Sequence, residues 1–166
     1  MSKRIRQYLG IIVAVTTYYI IHEGAHLIVA LKLRVFKKIN FMGLGIQIDV
    51  ENSLMSDIQL GIFCLAGALA TFTFGWILVL FCKQICKMKS QVIRAIAWYT
   101  TLTLLLLDPV YLSILCSLFG GGDMNGISLL CPEITVRILF ACLGIFHITL
   151  VILYLLPRYR KSFADA

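Results

Sequence analysis

The feature that most constrains the fold is an apolar run from Tyr8 to Leu31 that contains ionisable residues. A run of this length is sufficient for a helix to cross a lipid bilayer. His22, Glu23 and His26 form an H-E-x-x-H sequence inside it. An ionisable residue near the centre of a membrane helix costs about 2.5–3.5 kcal/mol on insertion scales, so three of them in one span require a compensating partner.

The spacing of these three residues is typical of a zinc site on a helix. Because His22 and His26 are one helical turn apart, both imidazoles lie on one face and can bind the same zinc ion. Glu23 lies about 100° further round the helix, where it can accept a proton from water rather than bind the metal. The alternative is that both histidines hydrogen-bond to neighbouring helices. The membrane setting favours a metal, with one zinc ion per chain.

The composition excludes an ordinary soluble domain. Of the 166 residues, 60% are hydrophobic, which predicts a single integral membrane domain over residues 1–166. The net charge of +7 does not indicate nucleic-acid binding, because the Lys and Arg residues gather at the ends of the apolar runs. We therefore expect a lipid bilayer as partner, and no nucleic acid.

The apolar runs predict an all-α membrane protein with four transmembrane helices. The spans are predicted at about residues 7–31, 57–81, 95–119 and 134–156. A short basic loop is expected over 82–94, and the tail that starts at Pro157 is expected to end the fourth span.

The segment between the first two spans has a different pattern. Ile46, Ile48 and Val50 alternate with polar residues, which is the period of a half-buried strand. Gly43 and Gly45 suit a turn before that strand. We predict a short β-hairpin or re-entrant segment here, with an interfacial loop as the alternative. A strand edge near the active site could bind an extended substrate by adding a strand.

The distribution of basic residues predicts the orientation in the membrane. With four spans, both termini and the 82–94 loop lie on one side, and that side carries ten Lys and Arg residues. The opposite side carries five. Because basic residues are enriched in cytoplasmic loops, we predict a multi-pass protein of the cell membrane with cytoplasmic termini.

Two aspartates are the candidates for a third zinc ligand. Asp108 lies midway along the third span and is followed by Pro109, which is expected to break the helical hydrogen bonding. Asp123 follows that span in a glycine-rich turn, which can fold back into the helix bundle. We favour Asp123, and keep Asp108 as the alternative ligand or as a residue that orients a ligand or water. His147, in the fourth span, is expected to hydrogen-bond to a neighbour.

The second span contains a small residue at every fourth position. These residues are Gly67, Thr71 and Gly75. Small residues at this spacing let another helix approach closely, so the stripe is interpreted as a packing surface.

Several motifs together resemble those of the site-2 proteases, a family of intramembrane zinc metalloproteases. They are the H-E-x-x-H sequence at 22–26, the sequence Ala66-Gly67-Ala68-Leu69-Ala70, which is similar to that family's A-G-P-x-A-N region, and the run from Gly122 to Ile127 followed by Pro132. The resemblance implies a zinc metalloendopeptidase with His22 and His26 as ligands, and the third ligand stays open between Asp123, which we favour, and Asp108. Glu23 would be its general base and the substrate a membrane protein or peptide. Because the chain is small, we also expect an adaptor protein as a membrane partner.

Two other classes of protein are compatible with the sequence. Some zinc permeases also carry H-E-x-x-H within a span, so the chain could be a zinc-binding or zinc-transporting membrane protein. It could also be a protease-like protein that binds membrane partners without cutting them. The intact glutamate at position 23 favours hydrolysis over the second alternative.

Overall fold

The computed structural model describes residues 2–42, 45–119 and 121–164. Within these residues, four helical segments are long and apolar enough to cross a membrane. They are Lys3–Leu33, Asp57–Leu80, Gln91–Leu118 and Glu133–Ala164. The four predicted helical spans are therefore confirmed as helices, although three of them extend several residues beyond the predicted bounds.

Seven α-helices and one hairpin make up the described chain. The elements are α1 (Lys3–Leu33), β1 (Phe36–Met42), β2 (Gly45–Val50), α2 (Asp57–Leu80), α3 (Cys82–Cys86), α4 (Gln91–Val110), α5 (Asp123–Ile127), α6 (Glu133–Leu150) and α7 (Leu156–Ala164). Two π-helical turns, Tyr111–Leu115 and Val151–Leu155, continue α4 and α6.

Serine side chains mark the start of three long helices. The hydroxyl groups of Ser2, Ser56 and Ser90 each accept a hydrogen bond from a backbone N–H in the first turn of α1, α2 and α4. At α2 the Gln59 side chain also accepts from the Ser56 N–H, which completes a capping box. α1 ends where Arg34 adopts a left-handed conformation with φ of 59°.

Two predictions about the ends of spans are wrong. The segment 82–94 is not a loop, because it contains α3 and the first residues of α4. Pro157 does not end the fourth span either, since the helical path continues through α7 to Ala164. Pro157 is the second residue of α7 and directly follows the π-helical turn Val151–Leu155, so the proline lies within a continuous helical path.

Pro109 alters α4 without ending it. The α-helix continues to Val110 and then widens into the π-helical turn. Because Pro109 has no N–H, the Leu105 carbonyl four residues earlier loses its helical partner. The His147 Nδ1 donates to that carbonyl at 2.8 Å. The predicted hydrogen bond of His147 to a neighbour is thus confirmed, and it ties α6 to α4.

The segment after α1 forms a two-stranded antiparallel hairpin, as predicted. In β2 the side chains of Ile48 and Val50 are buried while Gln47 is exposed, which matches the predicted alternation. Gly45 is the first residue of β2 rather than part of a turn. Gly43, the other predicted turn residue, lies outside the described residues.

The helices alternate in direction, so the bundle has two distinct ends. α1 packs against both α2 and α4, and β2 packs against α1. We call the end with the hairpin, α5 and the starts of α2 and α6 the hairpin end. The opposite end, with the starts of α1 and α4 together with α3 and α7, is called the basic end. At the basic end the Arg94 Nη1 donates to the Ser162 carbonyl at 2.5 Å.

Candidate metal centre

His22 and His26 lie on the buried face of α1. Every fourth residue of this helix is buried, in the series Gly10, Ala14, Tyr18, His22, His26 and Ala30. The two imidazole rings are 4.8 Å apart, measured between their centres, and stand at 70° to each other. The spacing of the histidines along the chain therefore places both rings side by side inside the bundle.

Asp123 lies against both histidines. Its Oδ2 atom is 3.1 Å from the His22 Nε2 and 3.4 Å from the His26 Nε2. One ligand atom from each of the three residues lies within 4.8 Å of the other two, so the group could hold a metal ion. The structure thus brings together the three residues that the sequence analysis selected.

A backbone hydrogen bond fixes the orientation of the His26 ring. Its Nδ1 lies 2.7 Å from the carbonyl oxygen of Phe63 in α2. A carbonyl only accepts, so Nδ1 donates this hydrogen bond. The other ring nitrogen, Nε2, lies next to Asp123 and is the atom of this ring that could bind a metal.

Asp108 lies on the other side of the His22 ring from Asp123. Its Oδ1 is 3.3 Å from the His22 Nδ1, at ion-pair distance without the geometry of a hydrogen bond. The buried carboxylate also accepts from the Tyr18 hydroxyl at 2.6 Å and from the Thr71 hydroxyl. Asp108 therefore contacts the nitrogen that faces away from the three-residue group, which is the place of a residue that orients a ligand.

A turn of glycines brings Asp123 back into the bundle. Gly121 and Gly122 have φ angles of 88° and 47°, which L side chains rarely adopt, and Asp123 is the first residue of α5. Burial raises the pKa of Asp123, but hydrogen bonds to His22 and His26 outweigh burial and lower it to about 2. The carboxylate is therefore ionised at neutral pH. Gly120, at the start of the predicted turn, lies outside the described residues.

Glu23 lies beside the three-residue group but is not part of it. Its half-buried carboxylate accepts a hydrogen bond from the backbone N–H of Ile48 in β2, at 3.3 Å. This contact joins the H-E-x-x-H helix to the hairpin. The histidines thus lie next to Asp123, while Glu23 lies next to the strand.

All four residues line one cleft at the hairpin end, with a volume of about 830 Å³. One wall is formed by residues 46–50 of β2, and the other walls come from α1, α2, α5 and the end of the third span. The side chains of His22, Glu23, His26 and Asp123 therefore border the same space. It is large enough for a peptide segment.

The small-residue stripe of α2 has a closer relation to the site than the sequence predicts. A Cβ atom on Gly67 would lie 2.6 Å from the Nε2 atoms of both His22 and His26. Thr71, one turn later, donates to Asp108. Gly75 has the predicted packing role, because a Cβ there would lie 2.8 Å from the side chain of Leu105. Gly67 therefore leaves room for both histidines, and Thr71 contacts Asp108.

Sequence reasoning missed three groups that surround the site. These are the Tyr18 hydroxyl, the Thr71 hydroxyl and the Phe63 carbonyl. The sequence does contain a signal for Tyr18, which lies one helical turn before His22 on the same face. The contacts of the Thr71 hydroxyl and of the Phe63 carbonyl both depend on how α2 packs in the bundle. No local sequence pattern therefore identifies either group.

Comparisons of the chain with protein-family models, with curated proteins and with solved structures find no match. The resemblance to the site-2 proteases therefore stays a prediction from the sequence.

Proposed function

We propose that this protein is an intramembrane zinc metalloprotease that hydrolyses peptide bonds of membrane-embedded or membrane-associated substrates. One observation carries the proposal: the Nε2 atoms of His22 and His26 converge on the Oδ2 of Asp123, with Glu23 in the same cleft. Two imidazoles and a carboxylate, with a fourth position left for water or substrate, are a ligand set of catalytic zinc sites.

The chemistry of the donor atoms fits zinc. Imidazole nitrogens and carboxylate oxygens both bind this ion, and an ionised Asp123 offsets part of its charge. Each histidine also has a second contact, to the Phe63 carbonyl or to Asp108, of the kind that orients metal-binding imidazoles. We therefore assign one zinc ion per chain to His22, His26 and Asp123.

Glu23 is the general base in this proposal. When bound, the zinc ion supplies a Lewis acid that lowers the pKa of a coordinated water to about 7. Glu23 takes the proton from the attacking water and returns it to the leaving amine. The Ile48 N–H holds the Glu23 carboxylate in the cleft, and Asp108 positions the His22 ring.

The hairpin supplies the binding surface for the substrate. β2 pairs with β1 along one edge. The Ile48 N–H donates to Glu23 rather than to β1, so the other edge of β2 faces the cleft. An extended peptide segment can pair with such an edge by strand addition. A transmembrane helix must unwind locally before its peptide bonds are exposed, since they are protected by their own hydrogen bonds. An adaptor protein that presents the unwound segment is part of the proposal.

The proposed setting is the cell membrane, with the four long helices as spans. The basic end carries ten Lys and Arg residues and the hairpin end five, which favours cytoplasmic termini. In this orientation the cleft opens towards the opposite side of the membrane. The chain is then an all-α membrane protein with one small hairpin.

Cleavage by the purified protein tests the proposal. Wild type and Glu23→Gln are incubated in lipid vesicles with a membrane-spanning peptide, and both cleavage and bound zinc are measured. We expect one zinc per chain in both proteins and cleavage only by wild type. A wild-type protein that contains zinc and leaves every such peptide intact would contradict the proposal. Zinc flux across the vesicles that survives Glu23→Gln would favour the transporter class.

A further inference from the structure

We propose that a second cavity, at the basic end, binds the phosphate headgroup of an anionic membrane lipid. The cavity has a volume of about 420 Å³ and lies among the first turns of α1, the first half of α4 and α7. Three of its lining residues, Lys3, Arg6 and Arg160, are cationic. The inference rests on the membrane placement of the four long helices and does not depend on proteolysis.

The basic end offers no described carboxylate to neutralise these cations. It carries Lys3, Arg4, Arg6, Lys83, Lys87, Lys89, Arg94, Arg158, Arg160 and Lys161. The seven acidic residues within the described ranges all lie towards the hairpin end, and the eighth, Asp165, lies outside those ranges. The positive end of the α1 dipole adds to this field, because α1 begins at Lys3. The cavity is therefore suited to an anion.

The cations stand on two sides of the cavity. Lys3 and Arg6 come from α1, and Arg160 comes from α7. The Arg6 guanidinium donates to the side chain of Gln91, which holds it across the gap between α1 and α4. Arginine presents a planar set of N–H donors that matches the oxygens of a phosphate, so Arg6 and Arg160 are suitable ligands for a phosphodiester.

A buried arginine strengthens the positive field beside the cavity. Arg94 is only 5% exposed, and its Cζ lies 5.4 Å from the ring centre of Phe163, which lines the cavity. Its Nη1 donates to Ser162, but its Nε and Nη2 have no hydrogen-bond partner among the described residues. A buried charge with incomplete hydrogen bonding is costly, and an anion held next to Phe163 would reduce that cost.

The aromatic lining distinguishes a lipid from a free phosphate ion. Trp98, Tyr99 and Phe163 form part of the cavity wall. Tryptophan and tyrosine are enriched where membrane spans meet the headgroup layer, because one end of each ring system is apolar and the other polar. The cations would contact the phosphate, and the aromatic rings would contact the glycerol and the upper acyl chain. This combination fits an anionic phospholipid better than inorganic phosphate.

Retention of phosphatidylglycerol tests this inference. The protein is reconstituted in phosphatidylcholine nanodiscs that contain phosphatidylglycerol, released, and analysed by native mass spectrometry for bound lipid. A variant with Lys3→Gln, Arg6→Gln and Arg160→Gln is compared with a control that carries Lys83→Gln, Lys87→Gln and Lys89→Gln. Both variants lose three charges at the basic end, but the control residues are exposed and do not line the cavity.

We expect the cavity variant to bind phosphatidylglycerol on the order of 100-fold more weakly, at about fivefold per removed charge near a lipid phosphate. The control should retain wild-type binding. An equal loss in both variants would show a diffuse surface charge and overturn the assignment of a cavity. If inorganic phosphate bound the cavity as tightly as phosphatidylglycerol and displaced it, the assignment of a lipid ligand would be overturned.

A second pair of variants covers the case in which the cavity variant does not fold, as judged by circular dichroism. Arg160→Gln removes one cavity cation, whereas Lys161→Gln removes the neighbouring exposed cation, which does not line the cavity. We expect about fivefold weaker lipid binding in the first and no change in the second. Equal binding by the two variants would contradict the inference.

Discussion

The two ends of the helix bundle hold their ionisable side chains in opposite ways. At the hairpin end, two histidines and three carboxylates line one cleft, and most of them have a defined hydrogen-bond or ion-pair partner. At the basic end, three cations line a cavity with no described carboxylate nearby. The first cavity has the groups to bind a cation and the second those to bind an anion. The comparison teaches that the ionisable groups of the cleft are held by burial and fixed partners, whereas two of the three cations of the second cavity are exposed.

The difference predicts where substitutions have large effects. His22, Asp108 and His26 are buried, so a change at any of them disturbs groups that water cannot replace. Lys3 and Arg160 are exposed, so neutralising them should alter lipid binding and leave the helix bundle intact.

The largest effect is expected for loss of the carboxylate that meets both histidines. Asp123→Ala removes the proposed third ligand, so bound zinc and peptide cleavage should both fall below detection. Asp108→Asn changes a residue that contacts His22 from its other side, and zinc affinity should fall about 10–100-fold. Zinc content after dialysis and competition with a chromogenic chelator measure both. The reverse order of effects would make Asp108 the ligand.

Glu23→Gln separates proton transfer from metal binding. Glutamine keeps the shape and can still accept from the Ile48 N–H, so zinc should be retained. Loss of a general base lowers kcat by about 10²–10⁴-fold. Glu51→Gln is the matched control, because Glu51 lies next to the hairpin outside the cleft lining and pairs with Lys37. Equal activity of the two variants would exclude Glu23 as the base.

Gly67→Ala tests the close contact between α2 and the histidines. Its Cβ would lie 2.6 Å from the Nε2 atoms of His22 and His26, so we expect destabilisation of about 1–3 kcal/mol and weaker zinc binding. Gly24→Ala is the control, since a Cβ there would have no described atom within 4 Å apart from its chain neighbours and the backbone of its own helix. Alanine is also the better helix former at that position, by about 0.5–1 kcal/mol. Thermal unfolding in detergent measures the stability of the two variants. Equal melting temperatures would contradict the contact.

The smallest effect is expected for the exposed ion pair next to the hairpin. Lys37 and Glu51 are 2.9 Å apart, and their hydrogen bond raises the pKa of Lys37 and lowers that of Glu51. The stabilisation is therefore present at neutral pH, lost as the pH falls through the pKa of Glu51, and lost as it rises through that of Lys37. Because the pair is exposed, Lys37→Met should leave zinc content and cleavage at neutral pH unchanged. A marked loss of cleavage would show that the pair supports the cleft.

Local sequence patterns predict the helices, the hairpin and the three residues that meet in the cleft. Hydrophobic runs and the period of two in β2 depend only on neighbouring residues, and one helical turn separates His22 from His26. Asp123 was identified because the glycines before it can turn the chain back, and Gly121 and Gly122 do have positive φ angles. The sequence alone left Asp108 as an alternative, since depth in the membrane does not fix which side of His22 it contacts.

The remaining features depend on contacts between distant segments. The Thr71 contact with Asp108 and the position of Gly67 follow from the packing of α2 on α1. The cavity at the basic end was missed because the segment with Arg94 was predicted as a loop and the fourth span was predicted to end at Pro157. In the structure α7 continues past that proline and encloses the cavity with α1 and α4.

Zinc K-edge X-ray absorption of the purified wild-type protein tests the central claim most directly. We predict one zinc ion per chain, bound by two imidazole nitrogens at about 2.0–2.1 Å and a carboxylate oxygen at about 2.0–2.2 Å. The imidazole signal should disappear in a His22→Ala, His26→Ala variant. A spectrum without imidazole ligands, or a correctly folded wild-type protein that binds no zinc, would contradict the metal centre and the hydrolytic mechanism that depends on it.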